Sequence, residues 1–379
     1  MHVVIVTTSY PDTQSGSEAA GGFVADFAQQ LAKHVRVSVV AATANAPSVR
    51  TEGSVEVHRF FVPRWPLSLL RPYHPADWWP ILRALRSGRK TLEEVAATDK
   101  PDYIFALWAL PSGYWARAVG KRYDIPYGIW ALGSDIWGLG KVPILRSYLR
   151  AVLKRATHRY ADGLQLGSDV EKISGLPCEF LPSTRNLPEH EGRAVSASPP
   201  YRIAFLGRWH PNKGVDIFLE SLLLLSPEDW SRIAEVRIHG GGPLEAEVHR
   251  MVEELRALGH PVNVGSYLDT AEATELIAWS DYMMLPSRVE SIPVIFSDAA
   301  QLGRPLVATP VGDLPRLFGQ HEFGILADDA EVGAFASALQ TALDAPPSRF
   351  QLQLAAIAEE FDIEAIAGRF AGQLGGLQS

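Results

Sequence analysis

The sequence predicts an α/β protein built from two doubly wound domains, and three observations carry that prediction. Short apolar runs alternate with helical patterns throughout both halves, as parallel sheets with crossover helices require. A Pro-, Ser- and charge-rich stretch, LPSTRNLPEHEGRAVSASPP, interrupts the alternation near the middle. The net charge also changes sign there. Residues 1–190 carry 22 Lys/Arg against 17 Asp/Glu, a net +5, and the remainder carries 13 against 26, a net −13. A length of 379 residues suits two domains of ordinary size better than one core.

In the first half, 3–7, 35–40, 103–107 and 127–131 read as strands, with helices expected over 23–32, 113–123 and 144–158. In the second half, strands are expected at 203–206, 236–239, 262–264, 282–285 and 305–308. Residues 186–200 form the expected linker, Pro346-Pro347 is expected to close the second domain, and a final helix follows from Phe361.

Apolar residues make up 47% of the chain and charged residues 21%, as in ordinary globular proteins. The single cysteine, Cys178, allows no internal disulfide and reads as a buried structural thiol in a reducing, cytoplasmic setting. MHVVIVTTSYP shows no export signal, and no apolar run approaches a membrane span. No Asp-x-Asp or His/Cys cluster has metal spacing, so no metal and no cofactor are expected. A dinucleotide enzyme is disfavoured. The first turn has Gly16, Gly21 and Gly22 without Gly-x-Gly-x-x-Gly, and no acid ends the second strand. No basic-aromatic reader motif points to nucleic acid.

The chemistry concentrates between residues 203 and 313. Arg208 and Lys213 follow one strand, and Glu290 and Asp298 follow another. Two cations at a strand end suit a diphosphate, and two carboxylates suit the diols of a sugar and a ribose. A helix starting near Pro293 would leave Glu290 at its mouth and Asp298 inside it. The separation is then up to about 12 Å, with a helix N-terminus between them for the diphosphate. Together the four describe a nucleotide-sugar site.

This stretch resembles the donor-binding half of glycosyltransferase family 4, the retaining, nucleotide-sugar-dependent enzymes of the GT-B fold. Gly207-Arg208, Lys213-Gly214, Gly240-Gly241-Gly242-Pro243, Pro286-Ser287, Glu290 and the closing GRPLVATPVGDLP carry the resemblance. It implies two Rossmann-like domains facing across a cleft: an acceptor-side domain over 1–185, completed by residues 360–379, and a donor domain over 201–359. Arg208, Lys213 and Glu290 would be the catalytic set, with Arg208 and Lys213 on the diphosphate and Glu290 on the donor sugar. Asp298, one methylene shorter than the usual Glu, would take the ribose. Gly207, Gly241, Ser291 and Ile292 would join the donor site, with Ser291-Ile292-Pro293 standing where the family has Gly-Phe-Gly. Gly21 and Gly22, at a helix start, would let the backbone approach the donor phosphates.

PDYIFALWALPSG and IPYGIWALGSDIWG resemble the acceptor-side segments, which brings Trp108 and Asp135 forward. Asp135 either orients the acceptor or caps the next helix. Many relatives have His where this chain has Leu107 and Leu132, and neither leucine relays a proton. The expected function is therefore a metal-independent retaining transfer, with the nucleotide-sugar as co-substrate and a glycan or lipid-linked glycan as acceptor. The alternatives are a silent glycosyltransferase-like binding protein and an epimerase or phosphorylase on the same fold. Residues 58–90 hold seven Lys/Arg and one acid among Phe60, Phe61, Trp65, Tyr73, Trp78 and Trp79. That mixture suits an anionic membrane surface.

Overall fold

The computed structural model describes residues 1–12, 21–64, 67, 70–71, 74–190 and 193–376. Gly16, Trp65 and Tyr73, named above, lie outside them. The chain divides into two units, Met1–Arg185 with Ile363–Ser379, and Asn186–Asp362.

The first unit holds eight strands: β1 His2–Thr7, β2 Arg36–Thr43, β3 Ser48–Glu52, β4 Val55–Phe61, β5 Tyr103–Leu107, β6 Tyr127–Ala131, β7 His158–Ala161 and β8 Glu179–Phe180. They form one sheet in the order β3-β4-β2-β1-β5-β6-β7-β8. All pairs are parallel except the β3–β4 hairpin. Strand order reverses between β1 and β5, the place where doubly wound sheets bind ligands beyond their strand C-termini. Alternate side chains feed two cores. Val4, Val6, Ile104, Ala106 and Ile129 face one way. Val3, Ile5, Phe105, Leu107 and Trp130 face the other.

The C-terminal helix Ile363–Gly375 covers this second face, burying Ile363, Ile366, Ala367, Phe370 and Leu374 at helical spacing. The Phe370 ring lies 4.5 Å from Phe105 and 5.5 Å from Phe27, measured between centroids. Burying a side chain of this size contributes about 2–3 kcal/mol.

The second unit holds six strands: β9 Tyr201–Arg208, β10 Ile233–Gly241, β11 Val262–Gly265, β12 Tyr282–Leu285, β13 Leu306–Ala308 and β14 Gly324–Leu326. Their order is β11-β10-β9-β12-β13-β14, all parallel. The helix Val215–Leu223 is apolar nearly all round and buries Val215, Ile217, Phe218, Leu219 and Leu222, the pattern of a covered crossover.

Three sequence expectations change. The helix expected over 144–158 ends at Arg155, because His158 pairs with Gly128 in β7. Pro346-Pro347 does not close the second unit. A single 3-10 turn, Pro347–Phe350, leads into the helix Gln351–Glu360, and Phe361 then packs on Phe296 at 5.2 Å. The stretch expected as a free linker is pinned from Arg193 onward. The fully buried Asp281 carboxylate accepts from Ser196 N at 2.7 Å and Arg202 N at 2.8 Å, and pairs with Arg193 at 3.4 Å.

Candidate donor and acceptor sites

In the second unit the candidate residues gather at the C-terminal ends of β9 and β12, which are hydrogen-bonded neighbours. After β9 the chain makes a 3-10 turn, Pro211–Lys213, whose first amide is capped by the His210 ring. Gly214 follows with φ +67°, and a Cβ there would lie 1.8 Å from the Pro286 carbonyl oxygen. Only glycine allows the turn after β9 to approach the loop after β12 this closely.

Lys213 is ion-paired with Glu290, and Ser287 Oγ donates to the same carboxylate oxygen at 3.0 Å. A second clasp joins the same two loops. Arg288 grips Asp216 through two bonds of 2.7 and 2.9 Å and donates to Pro211 O at 2.7 Å. Its own amide donates to Asn212 O at 2.8 Å. Arg288 and Asp216 were not singled out from sequence, although a cation two residues before Glu290 and an acid three after Lys213 were visible there. Arg208 is exposed, and among the described residues no acid pairs with it.

The helix Val294–Gln301 begins after Pro293, as expected, and no side chain caps its first amides. Ser291 and Ile292 are buried in the loop before it. The Ser291 carbonyl accepts from Asp313 N at 3.4 Å. Asp298 lies inside the helix, as the spacing predicted, and is only 1% exposed. At the end of the β9–β10 ladder Gly207 lies opposite Gly240, and Gly241 lies opposite Arg208. The Gly241 carbonyl accepts from Trp209 N at 2.8 Å and from the Tyr267 hydroxyl at 2.6 Å. Tyr267, half exposed, is a third residue the sequence did not flag.

In the first unit, Gly21 caps the helix Gly22–Leu31, and a Cβ there would meet the Tyr10 backbone at 2.8 Å. Gly22 has room around it. Asp135 does more than cap a following helix. It is buried in a single π-type turn, Ser134–Gly138, and accepts from Ala109 N at 2.5 Å and Leu132 N at 3.3 Å. The carboxylate thus ties together the loops after β5 and β6. Burial pushes its pKa up to about 6, against the pull of those backbone amides. Trp108 sits in the loop it grips, with φ +65°, a strained conformation for a bulky residue. Its amide donates to Trp130 O at 2.9 Å, and its ring meets Phe23 edge-on at 6.3 Å. Leu107 is fully buried and Leu132 half-buried on the same core.

The basic-aromatic segment resolves into two populations. Arg59 is buried beside Glu52, Arg64 bonds Asp77 at 2.5 Å, Arg89 bonds Glu93 at 2.9 Å, and Phe60 is core. The helix Trp78–Thr98 instead exposes Trp78, Trp79, Leu82, Arg83 and Arg86 on one face. The Arg83 guanidinium lies over the Trp79 ring at 5.7 Å. On the helix Pro143–Arg155, Ile144 is 82% exposed, and Arg146, Arg150 and Lys154 share an exposed face. Among the described residues no helix is long and apolar enough to cross a membrane.

Comparison with known proteins places this architecture. Residues 200–345 match the family model described as Glycosyl transferases group 1, so the second unit carries a domain of that family. D-inositol 3-phosphate glycosyltransferase of Corynebacterium diphtheriae is 32% identical over 184 residues, covering 47% of this chain and 43% of the relative. The chain thus spans less than half the length of this curated relative. Sucrose-phosphate synthase from Thermosynechococcus elongatus superposes with a TM-score of 0.77 at 18% identity, covering 99% of this chain and 98% of that one. The Anabaena protein HepE, solved in complex with UDP-glucose, superposes with a TM-score of 0.69 at 14% identity, covering 99% and 100%. Two Rossmann-like α/β domains of the GT-B class define the fold.

Proposed function

We propose that this chain is a retaining glycosyltransferase, moving a sugar from a nucleotide-diphosphate sugar to a glycan or lipid-linked glycan. The reading rests on one observation above the rest. Lys213, Glu290 and Ser287 meet at the ends of adjacent strands, within the matched domain, with Arg208 exposed at the end of β9. Cations there counter the charge that develops on a leaving diphosphate, so this reading calls on no metal. Lys213 would exchange Glu290 for the phosphates, freeing the carboxylate to accept from the sugar hydroxyls. As the bond from the anomeric carbon to the diphosphate breaks, the acceptor oxygen bonds the same face. Its proton passes to a diphosphate oxygen. The UDP-glucose complex of the Anabaena neighbour supports a nucleotide-sugar as donor.

The test is calorimetric titration with UDP-, GDP- and ADP-sugars, followed by transfer and hydrolysis assays and NMR of the product anomer. Binding with slow hydrolysis and a retained anomeric configuration is expected. Binding without any turnover would favour a silent binding protein, the reading that the buried Leu107 supports, and inversion would remove the proposed step.

The same proposal places the acceptor at an anionic membrane surface met by the helix Trp78–Thr98. Its supports are the exposed Trp78, Trp79 and Leu82 beside Arg83 and Arg86. Amphipathic helices of this composition lie in the headgroup plane.

A further inference from the structure

On the side of β1 away from Trp108 and Asp135, the first unit folds around a recess of about 190 Å³ at the C-terminal ends of β2 and β4. Asp12, Thr43, Asn45, Ser48, Arg50 and Arg59 line it, with Ala46 and Pro47 the apolar remainder. Thr43 Oγ1 and Asn45 Nδ2 donate to Asp12 Oδ2 at 2.6 and 3.2 Å, which holds the carboxylate in place. The Arg59 guanidinium is 6% exposed and lies over the Tyr10 ring at 5.5 Å. Its Nη2 donates to Pro11 O at 2.7 Å and to Glu52 at 2.8 Å, whereas its Nη1 meets no acceptor among the described residues. That nitrogen is itself enclosed, so the guanidinium that the recess offers a ligand is that of the exposed Arg50 on β3.

The lining has the chemistry of sugar recognition. A fixed carboxylate accepts from adjacent hydroxyls, a guanidinium and an amide donate to hydroxyl oxygens, and a serine hydroxyl does both. The volume is below the roughly 300–1,000 Å³ of drug-sized or cofactor sites, and suits one sugar ring. Two strand spacings, about 10 Å, separate β4 from β1 at the switch point.

We infer that this recess is a subsite for one pyranose unit of the acceptor, one or two sugars away from the reacting hydroxyl. The ligand class rests on the glycosyl-transfer reading, while the recess itself is independent of the donor residues.

Saturation-transfer NMR on the full chain tests it, with methyl α-glucopyranoside, methyl α-mannopyranoside, methyl α-galactopyranoside and glucuronate at millimolar concentration. Ser48→Trp fills the recess from an edge strand that accepts aromatic residues, and Asn45→Ala removes a rim donor. At least one sugar should give saturation transfer that falls tenfold or more in Ser48→Trp and several-fold in Asn45→Ala. Circular dichroism and nucleotide-sugar titration should be unchanged in both variants. No saturation transfer from any of the four, or transfer unaltered in a folded Ser48→Trp, overturns the subsite. Loss of nucleotide-sugar binding in the unaltered protein would instead strike the proposed function, and leaves the sugar signal as a separate result.

Discussion

The two units hold their strand-end loops by opposite means. In the second, loops after β9 and β12 are joined by side-chain ion pairs, Lys213 with Glu290 and Arg288 with Asp216, each partly open to solvent. In the first, loops after β5 and β6 are joined by one buried carboxylate gripping backbone amides. Ion pairs between exposed side chains exchange partners at little cost, whereas a buried carboxylate cannot be removed without stranding the amides it satisfies. The loops of the second unit are thus held by contacts that a charged ligand can open. Those of the first unit are held in a fixed shape.

The largest expected effect tests the exchangeable side. Arg208→Ala with Lys213→Ala should lower kcat by 10³-fold or more in a transfer assay, because each charge that meets the developing anion is worth about 10²–10³. Near-full turnover in that double variant would end the glycosyltransferase reading.

Asp135 tests the fixed side. Its folded pKa of about 6 lies above the ordinary 3.8, so the folded state keeps the proton longer than the unfolded chain. Stability from this group therefore falls as pH rises between about 4 and 6, and is flat above. At 1.36 kcal/mol per pKa unit the full effect is about 3 kcal/mol. Chemical denaturation of the wild type and Asp135→Asn at pH 4 and pH 7 should show the wild type losing stability relative to the variant by that order. Parallel profiles would mean that the amides, not burial, set the protonation of this carboxylate.

The Arg288–Asp216 clasp sharpens the comparison at smaller scale. Arg288→Ala and Asp216→Ala should each raise the donor KM several-fold with little change in melting temperature. A coupling of about 1 kcal/mol is expected in the double-mutant cycle, as for partly exposed pairs. Strict additivity would show that the two loops are held without it.

The smallest effect concerns the surface. Sedimentation with anionic vesicles should weaken as salt rises and fall when Arg83 and Arg86 are neutralised, each contributing about 1 kcal/mol near the lipid. Neutralising Arg64 or Arg89, already paired with acids, should change little. Absence of sedimentation at low salt would leave the helix Trp78–Thr98 as the wall of a site for a soluble acceptor.

Much of the fold was legible because hydrophobic periodicity is local. β5, β6 and β12 match their expected ranges residue for residue, since each is a short apolar run closed by Gly, Pro or a polar turn. β3, β4, β7, β8 and β14 were missed: β7, β8 and β14 are two to four residues long and have no period to detect, and β3 and β4 interleave charged and polar side chains with their few apolar ones. Arg208, Lys213, Glu290 and Asp298 were visible through residue type and their position after strands. What each one touches was not.

By itself the sequence determined two α/β units, the crossover order of their elements and the loops that carry charge, because alternation, glycine and proline act within a few residues. Tertiary structure alone decided that Lys213 spends its charge on Glu290, that Arg288 and Asp216 bind the same two loops, and that Asp298 is covered. It also decided that Arg59 turns inward while Arg83 and Arg86 stay outside. Those outcomes depend on which distant segments meet, through burial and partner choice over separations as long as the 77 residues between Lys213 and Glu290. Patterns a few residues long carry no record of such meetings.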